Sequence, residues 1–262
     1  MTKQSAPPPV QGAQTVSRAV ALLRAVARNG DEGARLSTLA RNVGLNTVTT
    51  RRLLLVLVHE GLLSFDPNRK TYSVGIALYH LGSTAKQFEV RDRFRGTLER
   101  IADQTEDTVF LFIRRGNDAI CIDRIEGRFP IRALLVDVGV SRPLGLGASG
   151  LALIAFLPPG QFDQIFSANL KQYNSFPNFD PKTILDLTKK SRKRGYVVSE
   201  SLFWPGVTAV SVPVFEEQCN VIAAVSVTAI SSRMNRGRQA EVAKTIQYCL
   251  TQSDFQITGS EA

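Results

Sequence analysis

The sequence predicts an α+β chain of two domains, and three observations carry that prediction. The first third holds three short helical periodicities followed by two short alternating runs, whereas the remainder mixes long apolar runs with further helical segments. Domains usually run to about 100–200 residues, so the length of 262 admits two modest domains as well as one large one, and 44% of the residues are hydrophobic, enough for a sizeable core. Charge is divided unequally: the net charge is +9, and residues 1–90 carry 11 Lys and Arg against 5 Asp and Glu, so +6 falls on the smaller part.

Residues 1–13, polar and proline-rich, predict a disordered tail. A first helix is predicted over 17–29, with Val16, Val20, Leu23 and Ala27 as its apolar stripe, Ser17 as its cap and Asn29-Gly30 as its stop. Residues 37–43 form a second short helix ended by Gly44. Asn46 caps a third that runs to about Glu60, where Gly61 stops it. Residues 62–65 and 71–74 alternate as strands around Asp66-Pro67-Asn68-Arg69, where proline and asparagine suit a tight turn. Three helices and a hairpin, the second and third helices joined through Gly44-Leu45, make a winged helix-turn-helix over 14–75.

Helices follow over 76–87 and 91–104, the second with Arg95 and Glu99 at an i,i+4 spacing; 88–91 reads as the connection, and 76–90 as the linker helix of the chain. The second domain occupies 91–255. Its strands are predicted at 109–113, 119–122, 131–138, 196–199, 207–215 and 221–230, and its helices at 148–157, 161–170, 181–194 and 238–251. Runs such as Val221-Ile222-Ala223-Ala224-Val225 belong inside a sheet covered by helices. Residues 256–262 predict a second disordered tail.

Composition excludes several classes. Cys121, Cys219 and Cys249 are odd in number, far apart and embedded in apolar runs with no neighbour at metal-ligand spacing, so a reduced, cytoplasmic protein without a metal site is expected. No run approaches the roughly 20 apolar residues of a spanning helix, and the start lacks a signal-type apolar stretch, so no membrane partner is expected.

The third helix opens with Asn46, Thr47, Val48, Thr49, Arg51 and Arg52, polar and basic where a recognition helix meets base edges; Arg69 and Lys70 at the wing tip add reach toward phosphate or the minor groove. These residues point to double-stranded DNA. Further along, the same helix is apolar all round, and Leu55 and Val58 are expected to meet the next helix or a second subunit. Arg142-Pro143-Leu144-Gly145-Leu146-Gly147-Ala148-Ser149-Gly150 opens directly into an apolar helix, whose first amides suit a carboxylate or phosphate; it lacks the Lys-Ser/Thr ending of a phosphate loop and the βαβ context of a dinucleotide site, so no cofactor is expected. No catalytic constellation is visible. His59 and His80 lie in or near the basic module, the second domain has no histidine, and Glu216-Glu217 reads as a hairpin turn; the basic Lys189-Lys190-Arg192-Lys193-Arg194 cluster reads as a solvated helix face. The competing class is a small-molecule enzyme or sensor whose DNA module is incidental.

Over nearly all of residues 14–252 the chain resembles the IclR family of bacterial transcriptional regulators. The resemblance is carried by Val16-Ser17-Arg18-Ala19-Val20-Ala21-Leu22-Leu23, Leu53-Leu54, Gly61-Leu62, Tyr72-Ser73-Val74-Gly75, the turn from Pro143 to Ala152, Arg194-Gly195-Tyr196, Pro205-Gly206-Val207 and Ala223-Ala224-Val225-Ser226-Val227-Thr228. It implies a GAF-like second domain that binds a small effector and mediates assembly into homodimers or dimers of dimers. It also implies binding to palindromic operators and repression or activation of catabolic genes in response to small, often carboxylate-bearing metabolites.

By the same resemblance the effector contacts fall on Ala148 and Ser149 in the glycine-rich turn and on Ser226 and Thr228, which share one face of a strand. Two positions depart from the family. Ser199 stands where aspartate is frequent and Ala209 where cysteine is frequent, implying a less charged, slightly larger pocket. Phe203, Trp204, Val207, Ile131 and Leu134 are expected as its apolar walls, which favours a larger or aromatic carboxylate. Many members carry Pro-Lys-Ser-Thr where Asn46-Thr47-Val48-Thr49 stands, so their operator sequences do not transfer.

Overall fold

The computed structural model describes residues 13–83, 86–134, 136–176, 180–201, 204–216 and 220–257, and the chain divides after Phe88 into two compact units. The sequence-based readings for residues 1–12 and 258–262, and those for Phe203, Glu217 and Cys219, fall outside the described residues.

In the first unit, α1 (Gln14–Ala27) starts three residues before Ser17, so Ser17 lies inside the helix and caps nothing. Its buried residues are Leu22, Ala25 and Val26, while Val16 and Val20 are exposed: the helix carries apolar groups on more than one side, and the core takes the i,i+4 pair nearer its C-terminus. Next come β1 (Ala34–Arg35), α2 (Leu36–Val43) and α3 (Thr47–His59). Gly44 joins the two helices in the left-handed region at φ 69°, a conformation that a side chain rarely adopts. The wing is β2 (Leu63–Asp66) and β3 (Thr71–Val74), paired antiparallel with Leu63 opposite Val74, and β1 adds to the far side of β3. At two residues β1 is too short to leave a periodic signal. Leu22, Val26, Leu39, Leu54, Leu57, Leu63 and Tyr72 form the core of this unit; Val58 packs at its margin, whereas Leu55 is 55% exposed, so of the two side chains expected at a subunit contact only Leu55 is available. α4 (Ile76–Ser83) closes the unit.

The second unit is a sheet between two layers of helix. α5 (Lys86–Thr105) runs unbroken through 88–91, which is helix rather than a loop-like connection. Then follow β4 (Thr108–Arg115), β5 (Asp118–Ile125), β6 (Ser141–Pro143), α6 (Gly147–Ala155), α7 (Pro159–Tyr173), α8 (Pro181–Arg194), β7 (Val197–Glu200), β8 (Val207–Phe215), β9 (Val221–Ile230) and α9 (Arg236–Thr251). The strand expected at 131–138 is absent among the described residues; the edge strand is β6, and Ile131 and Leu134 are 58% and 49% exposed. Strand order is β6-β5-β4-β9-β8-β7, antiparallel throughout.

Alternation sorts the side chains. Val109, Leu111, Val210, Val212, Val225 and Val227 face Phe94, Leu98, Ile101, Val242 and Ile246 of α5 and α9. Phe110, Phe112, Ala119, Val197 and Ala224 face α6, α7 and α8 instead. A one-residue slip of β9 would exchange Val225 and Val227 for Ser226 and Thr228 in the α5–α9 core, so burial fixes the register.

Two polar ties hold these layers. Asp107, its side chain 2% exposed, accepts hydrogen bonds from Arg233 Nε (2.9 Å) and Arg238 Nη2 (2.8 Å), joining the start of β4 to α9 and the turn before it. Arg95 bonds Glu99 as its spacing predicts and also Asp123 on β5, at 3.0 Å. The basic face of α8 is only in part a solvated one. Arg192 donates to the carbonyls of Ala155 and Leu157 at the C-terminal end of α6, and Arg194 Nε donates to Tyr196 O at 2.7 Å.

Candidate functional site

Two sites emerge, one in each unit. In the first, Asn46 Oδ1 accepts the Thr49 amide at 2.8 Å, so this side chain is engaged as the α3 cap. Thr50 is fully buried and donates to Asn46 O, which fixes the first turn from below. Thr47, Val48, Arg51 and Arg52 are exposed, and Thr49 is half-buried. Val48 is 73% exposed, more than any other large apolar side chain among the described residues, and it has no part in the core. At the wing, Asp66 Oδ1 accepts the amides of Asn68 (2.8 Å) and Arg69 (3.1 Å), and Lys70 turns through φ 53°; both basic side chains stand exposed at the tip.

The second site is a cavity of about 50 Å³ between the sheet and the start of α6. Ala148, Ser149, Ser199, Val207, Ala209, Ser226 and Thr228, the residues singled out from sequence, all line it. They come from three different strands and a helix terminus, and antiparallel pairing brings them together: Ala209 lies opposite Ser199 on one side and Thr228 on the other.

The glycine-rich turn is shaped for close approach. Gly145 adopts φ 92° and donates its amide to Gly150 O at 3.0 Å, and a Cβ there would meet the Tyr173 hydroxyl at 2.8 Å. Tyr173 donates to Leu144 O, and burial pushes its pKa up to about 12, so the phenol stays a neutral strut under the turn. Trp204-Pro205-Gly206-Val207 is a tight turn closed by the Val207 amide on Trp204 O at 3.1 Å, with Gly206 at φ 78° as a type II turn demands. It sets the indole over Gly147, where a Cβ would lie 3.3 Å from the ring. Gly147, Ala148, Ser149 and Gly150, the first turn of α6, line the cavity, and the amides of a helix's first turn have no partner within the helix.

Sequence reasoning missed Phe110, Phe112, Ala119 and Val136 in the lining, and named Arg142 and Leu146 only as members of the glycine-rich turn, with no role of their own. The phenylalanines needed the β4 register to be placed. Arg142 had a signal, being the only charged residue between Asp137 and Asp163. Its guanidinium stacks 4.3 Å from the centroid of Trp204, and burial lowers its pKa from the usual arginine value. Ile131 and Leu134 do not reach the cavity because their segment is an exposed irregular stretch; Val136 lines it instead. Cys121, behind the lining on β5, is a buried thiol whose pKa burial pushes up to about 12, which makes it unreactive. Among the described residues no group of three His, Cys, Asp or Glu is placed to hold a metal, and no helix is long and apolar enough to cross a membrane.

Comparison with known proteins places the chain among regulators. The profile described as bacterial transcriptional regulator IclR C-terminal matches residues 82–254, and that of the IclR helix-turn-helix domain matches 15–67. The HTH-type transcriptional regulator KipR of Bacillus subtilis is 28% identical over 205 residues, covering 78% of this chain and 81% of its own. Among solved structures, the Thermotoga maritima IclR superposes with a TM-score of 0.76 at 23% identity, covering 92% of this chain and 97% of its own. An IclR homologue from Microbacterium hydrocarbonoxydans, complexed with 4-hydroxybenzoate, superposes with a TM-score of 0.67 at 22% identity, covering 91% and 99%.

Proposed function

The chain belongs to the IclR family of bacterial transcriptional regulators and is a ligand-responsive DNA-binding protein; from that premise we propose that its effector is a small organic acid, aromatic or of similar size, held in the C-terminal cavity. The observation that carries this reading is the convergence of seven residues, chosen for effector binding from the sequence, on one mostly apolar cavity with buried hydroxyls and helix amides in its wall. The 4-hydroxybenzoate bound by a structural homologue supports an acid of that size.

DNA is bound through Thr47, Val48, Thr49, Arg51 and Arg52 of α3, with Asn46 as the cap that presents them and Arg69 and Lys70 reaching phosphate or the minor groove. Val48, exposed and outside the core, suits contact with a thymine methyl. Two such units act together in a homodimer, or in a dimer of dimers, in the cytoplasm, on catabolic genes. The protein turns over no substrate. An effector that binds one quaternary state more tightly shifts the population toward it and changes the separation of the paired DNA-binding units.

Trp204 is the only tryptophan in the chain and lines the cavity, so titration with aromatic acids is expected to quench its fluorescence. Silence across a broad panel, with no heat of binding by calorimetry, would remove the effector assignment. Arg69→Ala is expected to weaken binding to operator and scrambled DNA alike, and to reduce the slope of log affinity against log salt by about 1. An unchanged slope in fluorescence anisotropy would take Arg69 off the phosphate backbone.

A further inference from the structure

We propose that Arg124, which lies outside the cavity, sets the size of the acid that the cavity admits, because its guanidinium pins Val136 against the guest. This rests on the reading of the cavity as the effector site.

Volume raises the question. The cavity holds about 50 Å³, whereas an apolar cavity of about 150 Å³ takes benzene. A ring-bearing acid therefore enters only if a wall moves. Most of the walls are held by backbone pairing. β4, β8 and β9 each have a strand on both sides. The glycine-rich turn is closed by the Gly145 amide on Gly150 O, and the Trp204–Val207 turn by its own bond and by the Ser231 amide on Gly206 O at 2.8 Å. Val136 is held differently. It lines the cavity from an irregular stretch between two anchors, the Phe129 amide on Glu106 O at 2.9 Å and the Gly139 amide on Cys121 O at 2.7 Å. Leu134 and Val138 nearby are exposed, so moving the stretch outward uncovers little core beyond Ala133 and Val136.

What pins the stretch is charge. Arg124, near the end of β5, donates from Nη1 to Asp137 Oδ1 at 3.0 Å and to Val136 O at a longer 3.4 Å, and from Nη2 to Glu126 Oε1 at 3.2 Å. Glu126 in turn accepts from Arg132 Nη1 at 2.7 Å. Cations and carboxylates alternate through Arg132, Glu126, Arg124 and Asp137, and they tie both shoulders of the stretch to the end of one strand. The Asp137 side chain is 85% exposed, so water screens the tether: it sets a resting position and yields to a guest. Its opposition grows with the displacement a guest requires. An acid of two or three carbons meets none of it, and one that carries a ring meets all of it.

The test is a series of monocarboxylates of rising bulk, acetate, pyruvate, benzoate and 2-naphthoate, titrated into the full-length protein by calorimetry and Trp204 fluorescence. Each carries one negative charge, so the loss of a nearby cation acts on all alike and the ratio between members reads size. Arg124→Gln is expected to shift the ratio of benzoate to acetate affinity by about 3- to 10-fold toward benzoate, with 2-naphthoate gaining at least as much. Asp137→Asn is expected to give part of that shift, and Arg124→Lys to restore part of the wild-type ratio. Val136→Ala, which removes bulk and leaves the tether intact, is expected to favour the larger acids as well. An acid too weak to register in wild type is scored by whether a variant brings it into range. Thermal melts report folding, and Asp137→Asn, altered at an exposed side chain, decides if Arg124→Gln unfolds. Binding with a ratio unmoved by Arg124→Gln and Asp137→Asn overturns the role of Arg124 and leaves the effector site standing. If neither wild type nor any variant binds any of the acids, the effector reading of the cavity falls, and the role of Arg124 with it.

Discussion

Alanine at Arg51 is expected to cost about 1–3 kcal/mol of operator affinity and to narrow the gap between operator and scrambled DNA. Arg51 is exposed on α3, one turn below Thr47, and no ion pair among the described residues engages it. Its five donors are thus available for the two acceptors on a guanine edge. The helix that carries it is seated by Thr50, Leu54 and Leu57, all buried, so removing the Arg51 side chain leaves the scaffold in place. Anisotropy titrations on operator and scrambled duplexes at two salt concentrations decide the matter. Equal losses on both duplexes would mean that Arg51 meets phosphate, the role expected of Arg69.

The largest stability effect is expected at Asp107. Asp107→Ala leaves Arg238 with no carboxylate and Arg233 with only the exposed Glu106, 2.9 Å from its Nη2, and breaking a buried charge pair by removing one partner costs about 3–5 kcal/mol. For a unit of this size the loss lowers the midpoint of thermal unfolding by on the order of 10 °C, measurable by calorimetry. Adding Arg238→Met to Asp107→Ala should recover part of the loss, since one fewer cation is stranded. A cost of Asp107→Ala below about 1 kcal/mol would mean that water screens the cluster as it would a surface pair.

The N-terminal fold was almost wholly legible, because its signals are local. Asn46 caps α3, Gly44 and Gly61 stop helices in the left-handed region, and the Asp66 turn sits where proline and asparagine place it. The failures there have physical causes: the first residues of α1 carry no capping side chain, so nothing marked its start, and β1 exists only because β3 offers it an edge. In the second unit, strands buried on both faces were plain from composition, but residues 131–138, equally apolar, leave Ile131, Leu134 and Val138 exposed in an irregular stretch. Apolar content does not by itself decide whether a segment finds a neighbouring strand. The cavity divides the same way. Ser226 and Thr228 share a face by period alone, whereas Phe110, Phe112 and Arg142 join them only through the strand order β6-β5-β4-β9, which is a long-range fact.

Arg192 gives α6 a far end. The first turn of the helix lines the cavity, and about 14 Å away the carbonyls at its other end are bonded by a guanidinium from α8. A row of peptide dipoles with a cation at its negative pole and room for an anion at its positive pole is polarised in one direction by both. An acid docked beside Ala148 would thus share one row of dipoles with the arginine that closes Ala155, and a side chain outside the cavity would contribute to its hold on that acid.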